Sequence, residues 1–214
     1  ILAIGSLAGD ELGERPDLRV PVFVPYVADA ALQGLPRAKE STGKRNLNYL
    51  TLPVSVARDL EMYREITGQD RVLALVGQAV AELTLDGGTE LPLQHTGGVA
   101  VTLVPVGASA AEALAAVPDD APGVYLGILG QLGRQEKDKL IQGLRDRKIP
   151  VFSRLSRTDV VVGALAGHDY GHLVDALARR IGLFMGELQG REAVLDLPDA
   201  RPSLPALESR PAFA

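Results

Sequence analysis

Short apolar runs alternate with amphipathic helical segments along nearly the whole chain, and this alternation constrains the fold more than any other feature. Runs that are apolar at almost every position, such as residues 20–25, 71–76 and 124–129, predict strands covered on both faces. Segments with apolar residues three and four positions apart predict helices between them. Strand and helix in alternation predict a doubly wound α/β protein with mostly parallel sheets in two lobes.

The composition excludes several classes of function. A hydrophobic fraction of 46% with 23% charged residues is typical of a globular protein, and a net charge of −5 gives no basic field for nucleic acid. The absence of cysteine excludes disulfides, thiolate metal sites and a cysteine nucleophile. No apolar run approaches the ~20 residues that span a bilayer. The first residues, ILAIGS, lack a starting Met and predict an interior strand, so we expect the natural chain to begin earlier.

Residues 160–190 are the first place to look for function. The three valines at 160–162 predict a buried strand. His168, Asp169 and Tyr170 predict a polar turn after it, and the apolar stripe of residues 173–188 predicts a long helix. Open α/β sheets usually bind small molecules where a strand ends in a polar turn that opens a helix.

Other segments carry local signals of varying clarity. Ser109 and Glu112 form a capping box for a helix, and Asp29 suits the cap of the short turn AALQGL. Residues 77–98 are ambiguous, because GQAVAEL suits a helix whereas the following residues alternate like a hairpin around Asp86-Gly87. After Asp196 the chain holds four prolines without periodicity, which predicts an extended arm or a disordered tail.

Catalytic and cofactor motifs are weak. His168 and His172 have the spacing of two zinc ligands on a helix, but no third ligand is evident. Ser153, His168 and Asp169 are residue types of a hydrolase triad, but the G-x-S-x-G elbow is missing. The phosphate-binding glycine patterns are missing as well. The sequence therefore predicts no enzyme activity, no cofactor and no metal.

Polar residues that follow predicted strands are the candidate ligand contacts. The carboxyl ends of parallel strands converge on one crevice, so these residues are informative as a group, although each alone could cap a helix or lie in water. Tyr26, Asp169 and Tyr170 are the sharpest candidates, because tyrosine offers an apolar face with a hydroxyl and the carboxylate could receive a ligand ammonium. The predicted ligand-binding residues are Gly5, Ser6, Tyr26, Asp29, Gln78, Gln131, Ser153, Asp169 and Tyr170.

Five stretches together resemble the substrate-binding components of ABC transporters with a type I periplasmic-binding fold, in the group that includes tryptophan-type binders. They are AIGSLAGDEL, VPVFVPYVADAALQGL, NLNYLTLPV, KIPVFS and GALAGHDYGHLVDALARRIGLFMGELQG. The resemblance implies a first lobe of residues 1–48 and 165–190, incomplete at its N-terminus, a second lobe of residues 49–164, and a Pro-rich arm or tail of residues 191–214. Crossover strands near residues 46–50 and 163–167 would join the lobes, which would enclose the ligand by hinge closure.

The resemblance implies a protein that captures a small polar ligand and delivers it to the membrane permease of an ABC importer, in the periplasm or another extracytoplasmic space. The aromatic content of 4% and the absence of tryptophan disfavour a sugar site and favour an amino acid or a similar polar metabolite. Two alternatives stay open at this point, namely a sensory ligand-binding domain of a receptor or regulator and an α/β hydrolase that uses His168 and Asp169.

Overall fold

The chain forms two compact units, each built from two stretches of sequence. Residues Ile1–Ser55 and Gly171–Asp199 form unit 1, and residues Val56–Tyr170 and Ala200–Ala214 form unit 2. The computed structural model describes residues 1–4, 6–38, 41–52, 54–84, 90–91, 93–154, 157–169, 175, 178–179, 181–182, 193–196 and 201–203.

Helices and strands mostly alternate along the described chain, as the apolar pattern predicts, although the strands Val22–Val27 and Leu47–Thr51 have no helix between them. In chain order they are α1 (Ser6–Glu14), β1 (Val22–Val27), β2 (Leu47–Thr51), α2 (Val56–Thr67), β3 (Arg71–Gly77), α3 (Gln78–Thr84), β4 (Ala100–Val106), α4 (Ala110–Ala115), β5 (Val124–Leu126), α5 (Arg134–Asp146), β6 (Val151–Ser153), α6 (Arg157–Val162), β7 (Ala166–Asp169), β8 (Ala193–Asp196) and β9 (Arg201–Ser203).

The described part of unit 1 is a parallel sheet in the order β1-β2-β8 with α1 packed against it. Leu2 forms an isolated parallel bridge with Phe23. The strand predicted at residues 1–4 is therefore reduced to this single bridge. Lys44 closes α1 by donating from Nζ to the carbonyl oxygens of Leu12 and Gly13, at 3.0 and 2.7 Å. A cation at these carbonyls also complements the helix dipole.

Strand β1 has an irregularity at its carboxyl end. Its pairing with β2 is regular from Val22 to Val24 and shifts before Val27. Pro25 lies in this interval, and proline has no N–H to donate to the ladder, so the pairing is interrupted there. The irregularity falls beside Tyr26, one of the predicted ligand contacts. An interruption of this kind re-aims the side chain next to it.

The described strands of unit 2 form a six-stranded sheet in the order β4-β3-β5-β6-β7-β9. All neighbouring pairs are parallel except β7 with β9, which is antiparallel. Pro105 is tolerated in β4 because this strand lies at the edge of the sheet. The stripe Leu140, Ile141 and Leu144 of α5 is buried as predicted. It packs in a core with residues of β3, β5 and α4.

The strand predicted at residues 160–162 is wrong. These valines belong to α6, where Val161 is 82% exposed, and the strand begins instead at Ala166. The reason is topological, because β6 and β7 are parallel neighbours and the chain between them must cross over, usually by a helix. This requirement overrides the β-propensity of valine.

Two other expectations meet the structure in part. GQAVAEL does form a helix, α3, whereas the hairpin around residues 86–87 lies outside the described residues. Within residues 191–214, predicted as an arm or tail, two segments are strands: β8 extends the sheet of unit 1, and β9 pairs with β7 in unit 2.

Candidate functional site

Five of the predicted contacts have described side chains, and each follows or ends a strand near the carboxyl edge of its sheet, the edge where α/β sheets present residues to ligands. At this edge of unit 1 the structure describes the side chains of Tyr26 and Asp29. At the corresponding edge of unit 2 it describes those of Gln78, Gln131 and Ser153.

Asp29 caps the short turn that follows β1, as the sequence predicts. Its Oδ1 accepts from the backbone N–H groups of Ala31 and Leu32, at 3.0 and 3.2 Å. The side-chain oxygen of Gln33 accepts from the N–H groups of Ala28 and Asp29, at 3.0 and 3.3 Å. The turn is thus fixed from both ends, and its Asp29 follows the half-buried Tyr26 by three positions in the sequence.

Four predicted contacts lie beyond what the structure describes in full. Gly5 and Tyr170 are outside the described residues. Ser6 begins α1 and Asp169 ends β7, where its backbone pairs with Arg201, and at both positions the backbone is the described part. Asp169 and the neighbouring His168 therefore lie in a strand, and the polar turn predicted to contain them is wrong for these two residues.

The two glutamines of unit 2 differ in their surroundings. Gln131 donates from Nε2 to the Val106 carbonyl at the end of β4, at 3.0 Å, and its amide lies so close to Gly77 that a Cβ there would approach Oε1 to 2.9 Å. It thus joins the ends of β3 and β4. Gln78 directly follows Gly77 but donates along its own helix to Glu82, at 2.9 Å.

Ser153 is buried at the end of β6, and its hydroxyl donates to Asp159 Oδ2 at 2.5 Å. The other oxygen of Asp159 is 3.0 Å from the Lys137 ammonium. This geometry does not support a triad of Ser153, His168 and Asp169, because the Ser153 hydroxyl faces Asp159 and the His168 Nε2 faces Asp59.

Sequence reasoning missed a buried polar cluster in unit 2. We call Asp59, Tyr125, Arg154 and His168 the crossing cluster, because Asp59 and His168 lie close in sequence to two points where the chain passes from one unit to the other. Asp59 lies in the first turn of α2, and the other three lie in β5, just after β6 and in β7. All four side chains are buried, with Asp59 and Arg154 exposed by 0% and 2%. The sequence singles out His168 but gives no sign that it meets the other three, because the four residues are far apart in the chain.

The Asp59 carboxylate is the centre of this cluster. Its Oδ2 accepts from Arg154 Nη1 and from the Tyr125 hydroxyl, the latter at 2.6 Å, while Oδ1 is 2.5 Å from His168 Nε2. Arg154 and Tyr125 act as donors to Oδ2, and the direction of the bond between Oδ1 and His168 Nε2 follows the tautomer of the ring. Such charge-assisted bonds are the stronger hydrogen bonds of proteins.

Aromatic packing and burial complete the cluster. Phe152 stacks on Tyr125 with ring centroids 5.8 Å apart and meets the His168 ring edge to face at 5.9 Å. Burial raises the pKa of the Tyr125 hydroxyl well above its ordinary value of 10, and the neighbouring Asp59 charge acts in the same direction against the opposing Arg154 charge. The hydroxyl is therefore a neutral donor to Asp59 at physiological pH.

Within the described residues there is no group of three or more His, Asp or Glu that could hold a metal ion. His172, the partner of His168 in the considered zinc pair, lies outside them. Over the same part of the chain, no helix has both the length and the apolar character needed to span a membrane.

No family model matches the chain, and neither does any curated protein. Several solved structures are similar to it in fold, among them the following two. One is an ABC domain in complex with L-Trp from Streptococcus pneumonia, with a TM-score of 0.61 and 16% identity over 94% of this chain and 70% of that one. The other is the ligand-free, open structure of a substrate-binding protein with adhesive properties from Clostridium difficile, with a TM-score of 0.53 and 18% identity over 94% of this chain and 69% of that one.

At these identities the similarity shows the fold alone. The predicted fold class is confirmed: the chain has the mixed α/β architecture with parallel sheets that is typical of periplasmic-binding-like proteins. The similar structures are binding proteins, one described with an amino acid and one as substrate-binding.

Proposed function

We propose that this protein is the substrate-binding component of an ABC importer and captures a small polar ligand, with a free amino acid as the favoured class. The observation that carries the proposal is the shared fold with two binding proteins, one of them in complex with L-Trp. In this proposal the chain acts outside the cytoplasm, where it binds its ligand without chemical change and passes it to a permease in the membrane.

The proposed ligand-facing residues are those at the carboxyl edges of the two sheets. In unit 1 Tyr26 lies at the β1 irregularity, and Asp29 lies in the capped turn that follows the strand. In unit 2 Gln131 joins the ends of two strands and lies against Gly77. These groups suit a zwitterionic amino acid. The protein carboxylate would bind the ligand ammonium, the glutamine amides would bind the ligand carboxylate, and the tyrosine ring offers an apolar face.

The mechanism follows from binding alone. A ligand with contacts to both proposed lobes, residues 1–48 with 165–190 and residues 49–164, favours a closed state and shifts the population toward it. No bond is made or broken in this cycle. The free energy of ligand binding is what stabilises the closed state.

A thermal-shift screen of the full chain tests the proposal. We expect at least one member of a panel of L-amino acids to raise the melting temperature, because a ligand that binds only the folded state adds RT ln(1 + [L]/Kd) to the stability, about 2.7 kcal/mol at a hundredfold excess over Kd. Nucleosides and sugars complete the panel. If only those raise the melting temperature, the amino-acid class is wrong, and a flat result over all three classes contradicts the binding role.

Asp29→Asn refines the same screen. Asparagine keeps a side-chain oxygen that can accept the two N–H groups of the turn, so the unliganded melting temperature should change little. The loss of charge should weaken the binding of a ligand ammonium at least tenfold if Asp29 receives it. Asp17→Asn, which makes the same charge change at an exposed position of unit 1, should bind like the wild type. Equal affinities in the two variants would remove Asp29 from the site.

A further inference from the structure

The crossing cluster lies where the chain enters and leaves unit 2. The chain first passes from unit 1 into unit 2 at Ser55 and Val56, returns to unit 1 at Tyr170 and Gly171, and enters unit 2 again after Asp199. Asp59 belongs to the first helical turn after the entry, and His168 belongs to the strand that ends just before the return. The His168 ring meets the Asp59 carboxylate directly, although 109 positions separate them in the sequence.

The other two members fix this pair to the body of the sheet. Tyr125 lies in β5, an interior strand, and Arg154 directly follows β6, the strand between β5 and β7. Both donate to the same oxygen of Asp59, and Arg154 Nη1 is also 3.1 Å from the Tyr125 hydroxyl. The direction of the carboxylate is therefore set by one donor from β5 and one from the residue that follows β6.

Stability alone does not explain such a cluster. A buried ion pair is often no more stabilising than apolar side chains of the same volume, because desolvation offsets the Coulomb attraction. Directional hydrogen bonds differ from apolar packing in that they specify one arrangement of the groups. The arrangement specified here is that of the entry helix relative to the exit strand.

We propose that Asp59, Tyr125, Arg154 and His168 are positioning residues that hold the entry and exit segments of unit 2 in one fixed direction relative to its sheet. The consequence for ligand affinity rests on the proposed function: Asp169 and Tyr170, two of the ligand contacts predicted from the sequence, directly follow His168. Loosening the cluster should weaken binding even though its members need not touch the ligand.

Two buried tyrosines, Tyr125 in β5 and Tyr63 in α2, give a matched test. Tyr125→Phe removes the hydroxyl that donates to Asp59. Tyr63→Phe removes the hydroxyl of another buried tyrosine, which lies 3.2 and 3.1 Å from the carbonyl oxygens of Arg71 and Pro122, near the beginnings of β3 and β5. Each substitution removes one tyrosine hydroxyl, and the two differ in whether that hydroxyl belongs to the crossing cluster.

Hydrogen–deuterium exchange of the full chain without ligand provides the readout. For Tyr125→Phe we expect the amide exchange rate to rise about fivefold or more in residues 56–59 and in residues 166–169, because one hydrogen bond is lost. The exchange rate of β4 should not change. Tyr63→Phe should leave both segments at the wild-type rate. A uniform rise over the whole unit, a rise in one segment alone or no change would each overturn the proposal. If Tyr125→Phe does not fold, Arg154→Lys makes the same comparison, because it keeps the charge and loses the fork geometry.

Affinity for an L-amino acid found by the thermal-shift screen is the second readout. Tyr125→Phe should bind it several times more weakly than Tyr63→Phe. The two failures are distinguishable, since a chain that binds no ligand contradicts the proposed function but leaves the exchange result as the test of positioning. Equal affinities would overturn the link between the cluster and the ligand.

Discussion

Removing the charge at Asp59 should be among the most destabilising changes in unit 2. Asp59→Asn leaves the Arg154 guanidinium buried without its counter-charge, because Asp59 is 0% and Arg154 2% exposed. Breaking a buried ion pair at one partner costs about 3–5 kcal/mol. Since domains are stable by only about 5–15 kcal/mol, the loss is a large fraction of the total.

An exposed ion pair on the same helix supplies the control. Arg58 is 2.9 Å from Glu61, with side chains exposed by 59% and 39%. Glu61→Gln removes one charge from α2 just as Asp59→Asn does, but exposed pairs contribute only about 0–1 kcal/mol. The difference between the two variants therefore isolates the effect of burial.

Urea unfolding followed by far-ultraviolet circular dichroism measures both variants, with the free energy of unfolding obtained by linear extrapolation. A third variant, Asp59→Asn combined with Arg154→Met, removes the buried cation as well. We expect it to be more stable than Asp59→Asn alone, because the uncompensated charge is gone. If Asp59→Asn costs no more than Glu61→Gln, or if the two changes in the double variant simply add, the reasoning about the buried charge is refuted.

Three further substitutions test other parts of the fold. Ser153→Ala should lower the free energy of unfolding by about 1–2 kcal/mol in a urea titration, because the buried Asp159 loses a hydroxyl donor and keeps only Lys137 of these two partners. An unchanged free energy would contradict the hydrogen bond. Lys148→Gly should raise the melting temperature, since Lys148 has φ +61° after α5 and glycine adopts that region without strain; a lower value would contradict this. Burial raises the pKa of Tyr63 to about 12, so folding favours its protonated form, and this contribution is present below pH 10 and lost as the pH rises through 12. Tyr63→Phe should therefore show a smaller loss of stability between pH 9 and pH 11, by about 1 kcal/mol after allowance for solvent screening.

Features set by neighbouring residues were predictable from the sequence. Asp29 lies two and three positions before the N–H groups that it caps, so the residue types alone indicate the turn. The stripe of α5 is likewise a local pattern, and Leu140, Ile141 and Leu144 are buried as expected. Ser109 caps α4 by accepting from the Glu112 N–H group, again over three positions.

Features set by the arrangement of distant strands were not predictable. Residues 160–162 have the composition of a strand, but the parallel pairing of β6 with β7 makes that stretch part of a crossover helix. Asp59 and Arg154 have the residue types of a solvated surface, and only the packing of α2 against the sheet buries them together. The sequence could therefore indicate which edges to inspect, but not the buried cluster behind one of them.

Native mass spectrometry of the full chain, incubated with an equimolar mixture of L-amino acids, tests the central claim most directly. The account predicts a complex of one ligand per chain, from which an amino acid of unchanged mass is released after prolonged incubation. A ligand released with altered mass would contradict binding without turnover. A spectrum that contains only the free chain would contradict the amino-acid-binding role itself.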